Sequence, residues 1–257
     1  MSDCDNRSRV PRKPRWAWPL AAVSAVGLAA ILVGHPWQRP PGPAVSEPQA
    51  ASPPTRADFA GHAATPSAHR VADWATATDA GGGPFIIIDK PAAAIYVFDG
   101  EGRVRGSAPV LLGAAIGDDT VPGIGDKPLD KVLPEEKTTP AGRFIGEPGR
   151  NARGEDVVWV DYDAAVSMHR VITFNPAERR LERLRTPSIE DNRISYGCIN
   201  IPVDFYEAYV RPAYAQRNAV VYVLPDVKPL DEVFPLGDDG NVGQWQHPTL
   251  HAGLALR

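Results

Sequence analysis

The pattern of apolar and polar positions divides the chain into three parts. An uncharged run covers residues 16–33 and is rich in Ala, Val, Leu and Ile. A stretch of Pro, Ala, Ser, Thr and Gly comes next, from 35 to about 67, with few large apolar side chains. Such a stretch cannot bury enough surface to offset its ordering entropy and reads as an extended, disordered tether. A weakly helical segment over 68–78 belongs either to that tether or to a cap on the folded domain. From Pro84 onward, short β-type runs alternate with turn residues. Residues 85–89 and 94–99 are apolar runs separated by Lys90-Pro91-Ala92, Asp99-Gly100-Glu101-Gly102 carries turn chemistry, and 104–112 resumes strand character. This pattern predicts a meander.

The next 25 positions, 113–137, are rich in Gly, Pro and Asp and predict a long loop, a feature that is usually functional or disordered. Residues 138–144 lead into a strand, and 157–160 and 165–171 predict two more. Residues 178–185 (ERRLERLR) predict a short amphipathic helix with Leu181 and Leu184 on one side and the arginines on a solvated face. A second helix is expected over 203–211, with Phe205, Ala208 and Tyr209 at core spacing and Pro212 ending or kinking it. Residues 219–224 close the domain as a strand, and the sequence after Pro225 looks peripheral. Strands dominate, so the fold class is mainly β, a largely antiparallel sandwich or barrel with short helices.

Composition and charge add a location. Arg7, Arg9, Arg12, Lys13 and Arg15 precede the apolar run, whose eighteen residues at about 1.5 Å rise nearly match a hydrocarbon core of about 30 Å. The basic flank favours the cytoplasm, which sends the remainder outside it. The expected organisation is a cytoplasmic basic tail (1–15), a transmembrane signal anchor (16–34) in the inner membrane, a Pro/Ala-rich linker (35–83), a folded domain (84–225) in the periplasm or cell envelope, and a C-terminal tail (226–257). A cleaved signal peptide is the rival reading of the same run. The net charge of −4 and the lack of a basic stripe beyond the first residues argue against nucleic acid as a partner.

Export gives the cysteines meaning. Cys4 falls on the cytoplasmic side, so Cys198 has no partner for a disulfide, and an unpaired exported thiol either works or is deeply buried. Its surroundings, Ile194-Ser195-Tyr196-Gly197-Cys198-Ile199-Asn200, suit a nucleophile. Gly197 permits a tight turn that would aim the N–H groups of 196–198 at a developing oxyanion, and Ser195 would shape the loop by hydrogen bonding. Asn200 would cap the helix after Pro202, and that helix's positive end would favour a thiolate. Of the six histidines, only His169 lies inside a predicted strand of the domain, which makes it the candidate base. Arg170 and Arg193 are candidate substrate contacts. No CxxC or HxxxH spacing, Rossmann fingerprint or phosphate loop is present, so no metal or organic cofactor is expected.

At these residues the chain resembles the L,D-transpeptidase (YkuD-type) catalytic domain. The likeness runs from about residue 85 to 224. It is carried by IIIDKPAAAIYVFDGEGRV and PVLLG, by TTPAGRF, which is similar to a Thr-Pro-x-Gly-x-Phe segment, and above all by VSMHR with ISYGCIN after it. The last pairing resembles an isolated histidine followed by the signature Ser-His-Gly-Cys-x-Asn. The resemblance implies a YkuD-like β-sandwich and a cysteine transpeptidase of peptidoglycan stem peptides. Cys198 would be the nucleophile, His169 the general base, and Gly197, Ser195 and Asn200 the signature positions. A thioester formed with a stem tetrapeptide would pass to an amine of a second stem, to a protein lysine or to water, with no cofactor. Two departures stand out. Tyr196 replaces the signature histidine and cannot share a proton near neutral pH as imidazole does. His169 and Cys198 are 29 positions apart, longer than is usual in the family, and the excess (171–193) would form a lid. A thiol carboxypeptidase and an inactive cell-wall-binding module are the alternatives.

Overall fold

The structure, a computed structural model, describes residues 56–215 and 218–236. The expected basic tail, the signal anchor and the first part of the linker, through residue 55, lie outside the described residues, as does the segment after 236. No helix among the described residues is long and apolar enough to cross a membrane.

Ten strands form among the described residues: β1 (Phe85–Asp89), β2 (Ala94–Phe98), β3 (Val104–Pro109), β4 (Leu112–Gly113), β5 (Gly142–Arg150), β6 (Asp156–Asp161), β7 (Val166–Arg170), β8 (Arg193–Ser195), β9 (Ile199–Ile201) and β10 (Ala219–Val223). Eight of them make one sheet in the order β3-β2-β1-β10-β5-β6-β7-β9, and β4 pairs with β8. The long strand β5 is shared. Its first half, through Gly146, pairs with β10, and its second half, from Glu147, pairs with β6. A strand that passes from one set of partners to another turns a corner in a sheet. Beyond β3, Leu111 exchanges both backbone hydrogen bonds with Asn200 of β9, the strand at the opposite edge. The sheet is therefore nearly closed, and the expected sandwich takes the form of one bent sheet around a core.

That core gathers side chains from both halves. Ile86, Ile88 and Ile95 come from one, and Val158, Val160, Met168, Ile199 and Ile201 from the other. Strand β1 is buried along its whole length because its other face also packs. Phe85 and Ile87 meet a second core with Phe59, Trp74, Phe98, Tyr222 and Phe234. A strand covered on both faces reads as a continuous apolar run, which is why 85–89 was legible.

Residues 66–79 are helical, as the weakly helical reading of 68–78 expected, and of the two places open to that segment they take the one against the folded domain. Helix α1 (Pro66–Trp74) starts with Thr65, whose Oγ1 accepts from the Ala68 amide at 3.1 Å, and with Pro at its first position. Ala68, Val71, Ala72 and Trp74 pack it into the second core. A four-residue helix, α2 (Arg180–Arg183), lies in the 171–193 insertion. The run Val203–Phe205, Tyr206–Val210 and Arg211–Ala213 forms α3, whose middle turn is a wide π-type one. Pro212 does not end this helix. It lacks the N–H that would bond back to Ala208, and the widened turn before it carries the run through to Ala213.

Candidate active site

Strands β7 and β9 run parallel, with Met168 opposite Ile199, His169 opposite Asn200 and Arg170 opposite Ile201. Met168, Ile199 and Ile201 face the core. Alternation then sends Ser167, His169, Cys198 and Asn200 to the other face together. The Ser167 hydroxyl lies 3.7 Å from Cys198 Sγ, and the thiol donates to the Ala165 carbonyl at 3.5 Å. His169 is the diagonal neighbour of Cys198, since it stands opposite Asn200 and Cys198 lies two residues before Asn200. The nucleophile and base expected from sequence are thus on one face of adjacent strands.

Both are buried, Cys198 at 1% and His169 at 4% exposure. His169 Nδ1 lies 2.7 Å from the Arg170 carbonyl oxygen. A carbonyl can only accept, so Nδ1 carries a proton, and of the two neutral tautomers this bond selects the one with the lone pair on Nε2. Nε2 is buried and makes no hydrogen bond among the described residues. A cleft of about 360 Å³ opens beside His169 and is bordered by Asp156, Val171, Phe174 and Val203.

The loop before Cys198 is fixed from inside. Ser195 Oγ donates to the Cys198 carbonyl at 2.6 Å and accepts from the Gly197 amide at 3.1 Å. This is the shaping role expected of Ser195, but it removes the Gly197 N–H from any oxyanion pocket. Gly197 has φ +127°, and a Cβ there would meet the Thr138 carbonyl oxygen at 2.7 Å. Tyr196 is half-buried, with Lys137 Nζ 4.1 Å above its ring. Asn200 does not cap a helix. Its Nδ2 donates to the Cys198 carbonyl at 3.3 Å, and its Oδ1 accepts from Arg180 Nη1 at 2.6 Å. Helix α3 packs Phe205 and Tyr206 into the core, on the face of β9 away from Cys198, so its positive end is not directed at the thiol.

Arg180 is the residue that periodicity misassigned. Leu181 is exposed and Leu184 is buried, so the inward face of α2 pairs positions 180 and 184. Leu184 packs with Leu111, Val171 and Ile194. The Arg180 side chain is 4% exposed, and its Nε donates to Glu178 at 2.6 Å. Burial pulls its pKa below the ordinary guanidinium value, the Cys198 charge opposes that shift, and Arg183 reinforces it. An arginine four positions before an inward leucine was the available signal.

The two arginines expected to touch substrate are ion-paired within the fold, and Arg170 also lines the cleft beside His169. Arg170 bridges Glu207 (2.6 Å) and Asp156 (3.2 Å) and stacks over the Tyr206 ring. Arg193 donates to both Asp226 oxygens and to the Lys90 carbonyl. Asp226 belongs to a buried charge cluster that sequence reasoning did not identify. Lys90 Nζ donates to Asp118 (2.8 Å), to the Thr139 carbonyl (2.8 Å) and to the Gly117 carbonyl (2.6 Å), and lies 3.3 Å from Asp226. Asp118 also accepts from the amides of Asp226, Val227 and Lys228. Burial alone would raise the Asp118 carboxyl, but Lys90 and these three amides hold it at about 2. Thr139 passes this anchorage on, since its hydroxyl donates to the Gly197 carbonyl at 2.8 Å. Among the described residues no group of three or more His, Cys, Asp or Glu side chains is placed to hold a metal.

No protein-family model matches the chain, and no curated protein matches it. Among solved structures it is similar to an L,D-transpeptidase of Enterococcus faecium. The identity is 15%, the TM-score 0.31, and 55% of this chain and 50% of that one are covered, so the chain spans half the length of that protein. The catalytic domain of the Enterococcus faecium enzyme alone gives 15% identity and a TM-score of 0.32 over 56% of this chain and 98% of that one. The helical cell shape determining protein Pgp2 of Campylobacter jejuni, as a point mutant, gives 14% identity and a TM-score of 0.36 over 64% and 58%. Scores this low mark a partial likeness and assign no activity.

Proposed function

We propose that the chain is a cysteine acyltransferase of the L,D-transpeptidase kind, acting on peptidoglycan stem tetrapeptides outside the cytoplasm while residues 16–34 tether it to the membrane. The observation that carries this reading is the shared face of β7 and β9, which holds the Cys198 thiol and a histidine whose Nδ1 is bound to the Arg170 carbonyl. The similarity of VSMHR and ISYGCIN to the family's histidine and cysteine signature supplies the substrate class.

The steps balance with these two residues. His169 Nε2 takes the thiol proton, and the Cys198 thiolate attacks the carbonyl carbon of the diamino acid that precedes the terminal D-alanine. The oxyanion is held by backbone N–H groups of the 195–198 loop other than that of Gly197. Its collapse breaks the peptide bond, and the D-alanine amine leaves with the proton returned by His169. An acceptor amine then attacks the thioester, gives its proton to His169, and releases the thiolate, which regains a proton.

The test is incubation of the full chain with a disaccharide tetrapeptide, with and without a second stem, read by mass. A cross-linked dimer is the expected product. A trimmed tripeptide alone would reassign the chain as a thiol carboxypeptidase, and neither product would leave it as a binding module.

A further inference from the structure

The 171–193 insertion carries a buried cation, Arg180, to Asn200 of β9. Its turn is fixed at several points. Leu184 packs with Leu111, Val171 and Ile194, and Arg183 donates to the carbonyls of Glu178 and Asp191. Arg180 is therefore held on the face of β9 that carries Cys198 and Asn200. One edge of its guanidinium meets Glu178, and Nη1 meets Asn200, which in turn donates to the carbonyl of Cys198.

A guanidinium this deeply buried is costly unless anions surround it. Glu178 is only partly buried, and Asn200 is neutral. A further negative charge within electrostatic reach is a Cys198 thiolate, which favours the protonated guanidinium. The interaction is reciprocal: whatever the thiolate does for the guanidinium, the guanidinium does for the thiolate.

We infer that Arg180 is the cation that stabilises the Cys198 thiolate, so that the insertion supplies part of the reaction centre. The inference rests on Cys198 being the nucleophile. The other charged or titratable groups on this side are His169 from β7, Glu178 and Arg183 from the insertion, and Tyr196 with Lys137 over its ring. The thiol proton goes to His169 Nε2. Arg180 favours the resulting thiolate by charge, and Glu178 competes for that charge.

The test tracks iodoacetamide labelling of Cys198 against pH in the full chain, read from the mass of the peptide that carries it. Arg180→Gln is expected to move the inflection up by about one pH unit, slowing labelling roughly tenfold below it. Arg180→Lys should move it up less, because a point charge on a shorter reach replaces the fork. Glu178→Gln should move it down. An unchanged inflection in folded Arg180→Gln overturns the inference. Should that variant not fold, an upward shift in Arg180→Lys with a downward one in Glu178→Gln supports it, and any other pair of results overturns it. Labelling needs no acyl acceptor. An Arg180-dependent inflection without stem-peptide turnover would therefore sink the proposed reaction and leave this inference standing, and turnover with a fixed inflection would do the reverse.

Discussion

The hydroxyl of Thr139 joins Gly113 and Gly197, accepting from the first at 2.9 Å and donating to the second at 2.8 Å. All three groups are buried, so the strand entering the long loop, the segment leaving it and the cysteine loop share one fully satisfied oxygen. Thr139→Val keeps the shape and removes both bonds, leaving a buried N–H and a buried carbonyl without this partner. A loss of about 1–3 kcal/mol in urea unfolding is expected, with slower acyl transfer. Thr139→Ser should stay close to the parent in both measurements.

Gly197 is tied to the same place by backbone geometry. Its φ of +127° disfavours any side chain, and a Cβ would press on the Thr138 carbonyl oxygen at 2.7 Å and on Val166 at 3.3 Å. Gly197→Ala is expected to cost about 1–3 kcal/mol. Because the relief must come from the loop, Cys198 labelling should change more than melting temperature does. A variant with parental labelling and parental stability would show that the loop relaxes without disturbing the thiol.

Legibility in the sequence depended on the range of the interactions. Strands β1, β2, β6, β7 and β10 were visible because burial along them makes apolar runs. Cys198 and His169 were visible because the sequence singled out one thiol expected outside the cytoplasm and one strand histidine. Lys90, Asp118 and Asp226 were not, and Thr139 and Arg193 were noticed without their partners, since each is a polar residue in or beside a loop and acquires its meaning only from partners far along the chain. Arg180 looked like a solvated arginine because in a four-residue helix the apolar pattern is too short to choose a face. Helix α1 carried a readable start, Thr65-Pro66, but its small residues hid how fully it packs.

In the proposed reaction His169 acts through Nε2, the nitrogen left as acceptor by the Nδ1 bond to the Arg170 carbonyl. His169→Ala should lower the rate of acyl transfer by about 10²–10⁴-fold, the usual range for a positioned proton acceptor. His169→Gln separates packing from proton transfer, since an amide restores polar contact without a basic nitrogen. Steady-state turnover of the tetrapeptide should be lost equally in both, while urea unfolding shows a larger deficit for alanine. Recovery of turnover in the glutamine variant would remove His169 from the role of base.

The buried cluster under the site makes stability depend on acid pH in a predictable direction. Asp118 has its carboxyl held at about 2, below the ordinary 3.8, because Lys90 and three amides outweigh the effect of burial. A carboxyl depressed in the folded state stabilises the fold above its unfolded value and loses that contribution as pH falls through its folded value. The window is therefore from about pH 4 down to about pH 2, and the contribution lost is about 2 kcal/mol. Asp118→Asn should show a flatter stability profile across that window in urea titrations, and a lower plateau at neutral pH. Lys90→Met acts from the other side, leaving Asp118 and Asp226 buried without their shared cation, a change expected to cost about 3–5 kcal/mol. That loss should be largest at neutral pH and shrink below pH 4, as protonation of Asp118 relieves the uncompensated charge. A deficit that stayed constant with pH would mean that Lys90 acts through its carbonyl contacts at Gly117 and Thr139 rather than through charge.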